Sequence, residues 1–205
     1  MTRIKICGIT NIEDAQAAEA LGADAIGFIF AKSPRRVTIK QAAKIIKQTG
    51  PFIVKVGVFA DAPRKDVLAA IKCGIDVLQF HGCENDKYCA YFAKYCKIIK
   101  VIRVRDKNSL KQTAEYPHAD AFLFDTFSEK VLGGTGRHFD WSVLKGIKLK
   151  RPFIVGGGVN IQNLRKIITQ FSPYALDVCS GVEKTPGRKD RKLMAGLVGK
   201  IKKYG

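Results

Sequence analysis

Eight short runs of apolar residues alternate along the chain with longer segments of helical periodicity, and this alternation restricts the possible folds more than any other feature. The runs are rich in Val, Ile and Phe and contain few polar residues, which is typical of parallel strands buried on both faces. We predict strands at residues 3–7, 24–30, 52–59, 76–80, 98–104, 121–125, 153–156 and 175–179.

Helix signals lie between these runs. Thr10 and Glu13 have the spacing of a capping box, and Gly22 suits a left-handed helix end. Pro63 and Pro186 each stand where a helix can begin, because the first helical position tolerates a missing N–H. Eight such units of about 25 residues predict an α/β fold, a single-domain (β/α)₈ TIM barrel over residues 1–205, since an open doubly wound sheet usually has fewer strands.

The charge is strongly positive, with 36 Lys and Arg against 18 Asp and Glu and a net charge of +18. Such a charge suits a nucleic acid, a membrane surface or an anionic substrate. The basic residues are spread along the chain without any zinc-finger, RNP or basic-zipper pattern, and the apolar stretch 25–31 is too short to span a bilayer. We therefore predict no nucleic-acid partner and no membrane partner.

The six cysteines form no C-x-x-C pair, which argues against a zinc ribbon or a thioredoxin-like motif. No apolar segment near the N-terminus has the form of a secretory signal. We therefore expect a cytoplasmic protein with reduced thiols. The sequence leaves the oligomeric state open between a monomer and a homodimer.

Glycines follow the seventh and eighth predicted strands. In a (β/α)₈ barrel the chemistry lies at the carboxyl ends of the strands, and glycine there lets backbone N–H groups approach an anion. A phosphorylated small molecule is therefore the expected partner. The predicted phosphate-binding residues are Gly157, Gly158, Asp177, Ser180 and Gly181.

Two residues at strand ends are candidates for acid–base chemistry. Cys7 ends the first predicted strand and Asp125 ends the sixth. A thiol needs positive surroundings to ionise near neutral pH. The alternatives are a packing role for Cys7, a loop cap for Asp125 and a structural role for His81 at the end of the fourth strand. The long loop at residues 126–138 is expected to be functional, and a short helix is predicted near residues 139–147.

The motif Lys-Ile-Cys-Gly-Ile-Thr at residues 5–10 resembles the signature of the phosphoribosylanthranilate isomerase family. Further segments continue the resemblance in family order over nearly the whole chain. They lie at residues 22–28, 56–59, 78–82, 133–136, 139–141, 177–183, 186–187 and 189–190.

This resemblance implies an Amadori rearrangement of N-(5-phosphoribosyl)anthranilate in tryptophan biosynthesis, without cofactor or metal. It implies that Asp125 is the general acid that protonates the ring oxygen, and that Cys7 is the general base that removes the proton from C2. It also implies an arginine facing the anthranilate carboxylate. The Ser-x-Arg spacing favours Arg35, while counting from Cys7 without gaps favours Arg36. His81 and Gly134 complete the expected substrate-binding residues.

The nearest alternative enzyme is the histidine-pathway sugar isomerase, which has an aspartate base in place of Cys7 and a two-fold internal repeat that this chain lacks. The sequence does not decide whether that substrate is also accepted. A nucleic-acid-binding protein and a non-catalytic barrel are the alternatives from other classes. Cys179 stands where serine is frequent in the family, and Gly156 where serine or alanine is frequent; both are small, so we expect neither to change the chemistry.

Overall fold

The computed structural model describes residues 1–126 and 140–204, and its eight parallel strands close into one barrel. The predicted fold class and all eight predicted strands are confirmed, with strand ends within two residues of the prediction. The barrel strands are β1 (Arg3–Cys7), β2 (Ala25–Ile29), β3 (Val54–Phe59), β4 (Val77–Phe80), β5 (Lys97–Val104), β6 (Ala121–Thr126), β7 (Phe153–Val155) and β8 (Ala175–Val178).

Each strand pairs in parallel with the next one in the chain, and β8 pairs with β1. In that closing pair Arg3 lies opposite Ala175 and Ile6 lies opposite Val178. Because all eight strands run in the same direction, their carboxyl ends meet at one end of the barrel. Residues that are far apart in the sequence are therefore brought together there.

Two apolar layers explain why the strand sequences are apolar almost throughout. Alternate side chains of each strand point into the barrel or outward towards the helices. The inner cluster consists of Val56, Ile99, Val101, Ala121, Leu123, Ile154 and Ala175. The outer layer packs the other face of the strands against the helices and includes Ile6, Phe28, Leu78, Phe124 and Leu197. Both faces of a strand are buried in this arrangement, so little polar alternation remains in the sequence.

Six α-helices cover the barrel in the part of the chain that the structure describes. They are α1 (Ile12–Ala20), α2 (Ile39–Ile46), α3 (Arg64–Lys72), α4 (Asp86–Ala93), α5 (Leu164–Phe171) and α6 (Arg191–Tyr204). The connection after β5 contains a 3₁₀ helix at Lys107–Glu115, and the one after β6 contains a shorter 3₁₀ helix at Trp141–Leu144. None of the described helices combines the length and apolar character needed to cross a membrane.

Two predicted helix starts are wrong. The cap of α1 is Asn11, whose side chain accepts a hydrogen bond from the backbone N–H of Asp14, while the hydroxyl of Thr10 donates to the carbonyl of Gly187. Pro186 lies in the turn of a two-stranded hairpin, β9 (Glu183–Thr185) and β10 (Arg188–Lys189), and α6 begins only afterwards. At Thr10 a contact with the other end of the chain replaces the local helix signal, and at Pro186 a local hairpin does.

Two other local predictions are confirmed. Pro63 directly precedes α3, and Gly22 follows α1 with a φ of +85°. Each prediction depends on the backbone conformation of one residue, so contacts with distant parts of the chain do not alter it.

Candidate active site

One cavity at the carboxyl end of the barrel collects most of the predicted site residues. Its lining includes Cys7, Arg35, His81, Asp125, Gly157, Gly158, Asp177 and Ser180. Arg36 is exposed and does not line the cavity, and neither does Gly181. The prediction for Gly134 and most of the predicted functional loop lie outside the described residues. The geometry therefore favours Arg35 over Arg36 as the arginine that meets a ligand.

Cys7 is buried at the end of β1, and its neighbours favour the thiolate. A hydrogen bond from Cys179 and the charge of Lys5 lower the pKa of Cys7 to about 7, against the effect of burial. The same hydrogen bond, together with burial, raises the pKa of Cys179 well above its ordinary value. The thiolate is therefore far more accessible near neutral pH than in a free cysteine, which suits a general base.

An ion pair lies inside the barrel beneath Cys7. The Nζ atom of Lys5 is 2.7 Å from Oδ1 of Asp177, and Lys5 is almost completely buried. Burial opposes its charge, but the carboxylate of Asp177 and the neighbouring Cys7 raise the pKa of Lys5 above its usual range. Asp177 also lines the cavity, so its predicted place in the phosphate site stays a prediction beside this pairing with Lys5. Its position indicates a role in keeping Lys5 charged next to Cys7.

Asp125 lies near the end of β6, and both of its carboxylate oxygens have contacts. Oδ1 accepts a hydrogen bond from the backbone N–H of Thr126 at 2.7 Å, and Oδ2 is 3.2 Å from Nε2 of His81. The backbone of His81 is held in turn by Arg103, which donates to its carbonyl oxygen at 2.7 Å. His81 therefore orients the carboxylate of Asp125 as well as lining the cavity.

Gly157 packs directly against Asp125. A Cβ atom at Gly157 would lie 2.7 Å from Oδ1 of Asp125 and would also collide with Thr126. Its φ of +70° is a second reason why only glycine is suitable here. A side chain at Gly157 would therefore displace the carboxylate of Asp125 as well as obstruct the turn after β7.

The turns after β7 and β8 contain the glycines and the serine of the predicted phosphate site. Gly157 and Gly158 both have positive φ, and the carbonyl oxygen of Gly158 is occupied by the side-chain amide of Asn163. Ser180 begins the 3₁₀ helix Ser180–Val182, so its N–H has no partner within that helix. Gly181 lies close to the turn after β7, because a Cβ atom at this position would collide with the carbonyl oxygen of Val159. Its predicted part in phosphate binding stays a prediction.

Arg35 reaches the cavity from the loop after β2 and is held by a buried carboxylate. Its Nε and Nη2 atoms donate to Glu183 at 2.7–3.0 Å, and Nζ of Lys189 lies 2.8 Å from the same carboxylate. These bonds raise the pKa of Arg35, and they lower the pKa of Glu183 although burial opposes this. Glu183 thus fixes the guanidinium at the cavity wall through the hairpin that follows β8.

Sequence reasoning missed four contributors to this site: Lys5, Cys179, Glu183 and Lys189. All four contact a predicted site residue or each other, but their types do not reveal this. A signal did exist for Cys179, because closure of an eight-stranded barrel places the end of the last strand beside the end of the first. That pairing brings Cys179 next to Cys7, and the small size of the residue alone did not indicate a role.

The arrangement can transfer protons at two positions of one bound molecule. A thiol that ionises near neutrality and a buried carboxylic acid line the same cavity, with anion-binding turns on one side and Arg35 on another. Among residues 1–126 and 140–204 no group of three or more His, Cys, Asp or Glu side chains is placed to hold a metal ion. The chemistry that these residues offer is general acid–base catalysis on an anionic ligand.

Comparison with known proteins gives a consistent result. The family model described as N-(5'-phosphoribosyl)anthranilate (PRA) isomerase matches residues 4–200. A curated N-(5'-phosphoribosyl)anthranilate isomerase from Pelobacter propionicus is 44% identical over 192 residues, which cover 93% of this chain and 90% of the relative.

Solved structures extend the likeness to three dimensions. A phosphoribosyl anthranilate isomerase from Thermotoga maritima gives a TM-score of 0.92 at 34% identity, covering 99% of this chain and 100% of that one. Another Thermotoga maritima structure, described as monomers of a dimeric enzyme, gives 0.86 at 32% with the same coverage. A phosphoribosyl anthranilate isomerase in complex with reduced 1-(o-carboxyphenylamino)-1-deoxyribulose 5-phosphate gives a TM-score of 0.86 at 34% identity, covering 99% of this chain and 100% of that one.

Proposed function

Because the chain belongs to the N-(5'-phosphoribosyl)anthranilate isomerase family, we propose that Cys7 and Asp125 are the general base and the general acid of its reaction. The enzyme acts in tryptophan biosynthesis, where it converts N-(5-phosphoribosyl)anthranilate to 1-(2-carboxyphenylamino)-1-deoxyribulose 5-phosphate. The observation that carries the proposal is that the two residues line one cavity, with the thiol of Cys7 poised to ionise near pH 7.

The reaction needs one proton delivered and another removed. Asp125 donates a proton to the ring oxygen of the ribose while the nitrogen lone pair breaks the C1–O bond, which opens the ring to a protonated Schiff base. The thiolate of Cys7 then takes the proton from C2. The resulting enolamine tautomerises to the amino ketone as the C2 hydroxyl loses its proton and C1 gains one, and exchange with water returns the proton on Cys7 to Asp125. Each residue acts at a different atom, so they belong at different strands around one cavity.

The two charged ends of the substrate require separate anchors. The N–H groups after β7 and β8, at Gly157, Gly158 and Ser180, receive the phosphate. Arg35 receives the anthranilate carboxylate through Nη1, since Glu183 engages Nε and Nη2. Binding both ends holds the ribose between the acid and the base, which lowers the entropic cost of reaching the transition state.

Substitution of the two residues tests the proposal. Asp125→Asn removes the acidic proton, so kcat should fall by about 10² to 10⁴ with little change in affinity. Cys7→Ala should abolish most activity, because no other thiolate takes its place. The loss of substrate fluorescence reports turnover, and binding of the reduced product measures affinity separately. The matched control is Cys73→Ala, since this half-buried thiol at the end of α3 is outside the cavity.

The turnover of each variant decides whether its residue has the proposed role. If Cys7→Ala kept a normal kcat, the thiol would be a packing residue and another base would have to be found. If Asp125→Asn stayed within a few-fold of the unsubstituted enzyme, the carboxyl group would not be the proton donor.

We also propose that the enzyme is a homodimer joined through the amino-terminal ends of its barrels. Phe52 lies just before β3 and is 96% exposed, and Val54 and Tyr174 are exposed at the same end. These side chains border an apolar cavity lined by strand beginnings such as Val56 and Ile154. A projecting apolar residue beside a cavity on the same face suits a two-fold interface, in which Phe52 of each copy enters the apolar cavity of the other copy. The dimeric relative from Thermotoga maritima supports this proposal.

A further inference from the structure

The cavity contains a buried amide that the proposed mechanism does not use. Gln79 lies on β4 and is only 1% exposed, and it belongs to the cavity lining. Its neighbours in register are Val58 on β3 and Ile99 on β5, both apolar. Its side chain therefore has an apolar neighbour on each adjacent strand and borders the cavity.

The side-chain oxygen of Gln79 has no hydrogen-bond partner among the described residues. A buried amide without a partner destabilises the folded protein, and an apolar residue of similar size would avoid that cost. The other buried polar side chains of the cavity are paired, Asp177 with Lys5 and Arg35 with Glu183. An orphaned polar group in a ligand cavity indicates that the ligand supplies the partner.

We propose that the carboxamide of Gln79 hydrogen-bonds a ribose hydroxyl group of the substrate. The inference rests on the proposed function, which places the two charged ends of the substrate at Arg35 and at the turns around Gly157. The part between them carries uncharged hydroxyl groups. An uncharged amide matches such a group in polarity, and it can act as donor or acceptor. Gln79 would then determine specificity by leaving its amide unpaired with any ligand that lacks the hydroxyl.

The experiment combines binding with thermal unfolding in the variant Gln79→Leu. Its affinity for the reduced product, measured by calorimetry, should fall about 10- to 100-fold because a hydrogen bond is lost. Its Tm should be equal to or higher than that of the unsubstituted enzyme, because the unpaired buried amide has been removed. Gln79→Met serves as the unbranched replacement if leucine prevents folding.

Ile99→Val is the matched control. This residue is the neighbour of Gln79 in register but does not line the cavity. It should lower Tm by creating a small void and leave affinity unchanged. Gln79→Leu is therefore expected to weaken binding without lowering Tm, whereas Ile99→Val is expected to lower Tm without weakening binding.

Two outcomes would overturn the proposal. Unchanged affinity in a folded Gln79 variant would mean that the amide does not touch the ligand. Weaker binding accompanied by a lower Tm would mean that Gln79 supports the cavity wall. Because binding of the reduced product needs neither acid nor base, Cys7→Ala should still bind it. A failure of the catalytic assignment can thus be distinguished from a failure at Gln79.

Discussion

Cys7 becomes acidic mainly through another cysteine. The hydrogen bond from Cys179 is the largest influence on its pKa and exceeds that of Lys5. The thiols share this bond, so the pair releases one proton near neutrality and holds the other far more tightly. Cys179 is therefore expected to influence the ionisation of Cys7, the proposed base.

Removal of the Cys179 thiol should change the pH profile. With the Cys7 thiolate as the proposed base, kcat/KM should rise as pH rises through the pKa of Cys7, which is about 7. Cys179→Ala removes the donor and raises this pKa, so the acid limb should move to higher pH. We expect kcat/KM to be roughly tenfold lower at pH 7 and close to normal in alkali.

Cys179→Ser is the matched variant, because a hydroxyl also donates a hydrogen bond. It should restore the acid limb towards its original position. A profile that Cys179→Ala left in place would show that Cys179 does not control the ionisation of Cys7.

The sequence pointed to the proposed acid and base but not to the residues that surround them. Cys7 and Asp125 could be located because they end strands whose carboxyl ends meet. The pairing of Asp177 with Lys5 and of Arg35 with Glu183 depends on the exact closure of the barrel. Such contacts join residues about 150 positions apart or more, and no local pattern reports them.

The ends of the strands were predicted more accurately than the starts of the helices. A strand buried on both faces has apolar residues throughout, so its ends are visible in the sequence. A helix start depends on which of several polar residues supplies the cap. At α1 both Thr10 and Asn11 are suitable in type, and the structure uses Asn11 because the Thr10 hydroxyl is bonded to Gly187.

The cap of α1 can be tested by comparing two alanine substitutions. Asn11→Ala removes the acceptor for the N–H of Asp14 and should lower the free energy of unfolding by about 1 kcal/mol. Glu13→Ala removes the second member of the sequence-predicted capping box and should change it by less than about 0.5 kcal/mol. Urea unfolding curves measure both. A larger loss for Glu13→Ala would favour the box predicted from the sequence.

The two ends of the barrel differ in the polarity of their exposed residues. The carboxyl end carries the charged and polar site, and the amino end exposes Phe52 beside an apolar cavity. The polar site at the carboxyl end could be predicted from the sequence, since cysteine, aspartate and glycine at strand ends are recognisable residue types. An exposed Phe52 next to a strand was not distinguishable from a core residue in the sequence, so the oligomeric state stayed open.

The proposed dimer predicts a specific effect of charge at Phe52. Phe52→Asp should give monomers, because a carboxylate cannot be buried unpaired in an apolar interface. Leu193→Asp is the control, since Leu193 is an exposed apolar residue on α6, away from that end. Sedimentation velocity over a range of concentrations measures the mass of each species. A monomeric unsubstituted protein would refute the proposed interface, as would a dimeric Phe52→Asp variant.

Closure of the barrel by its two chain ends has a consequence for biosynthesis. β1 pairs with β8, Lys5 with Asp177, and Asp14 accepts a hydrogen bond from the backbone of Lys189. In a nascent chain on the ribosome the proposed base Cys7 therefore lacks Cys179 and Asp177 nearby, and the edge of β1 stays open for the seconds until the last strand emerges. We expect this interval to be when chaperones are most needed, and we expect a message truncated before β8 to yield an inactive, aggregation-prone product.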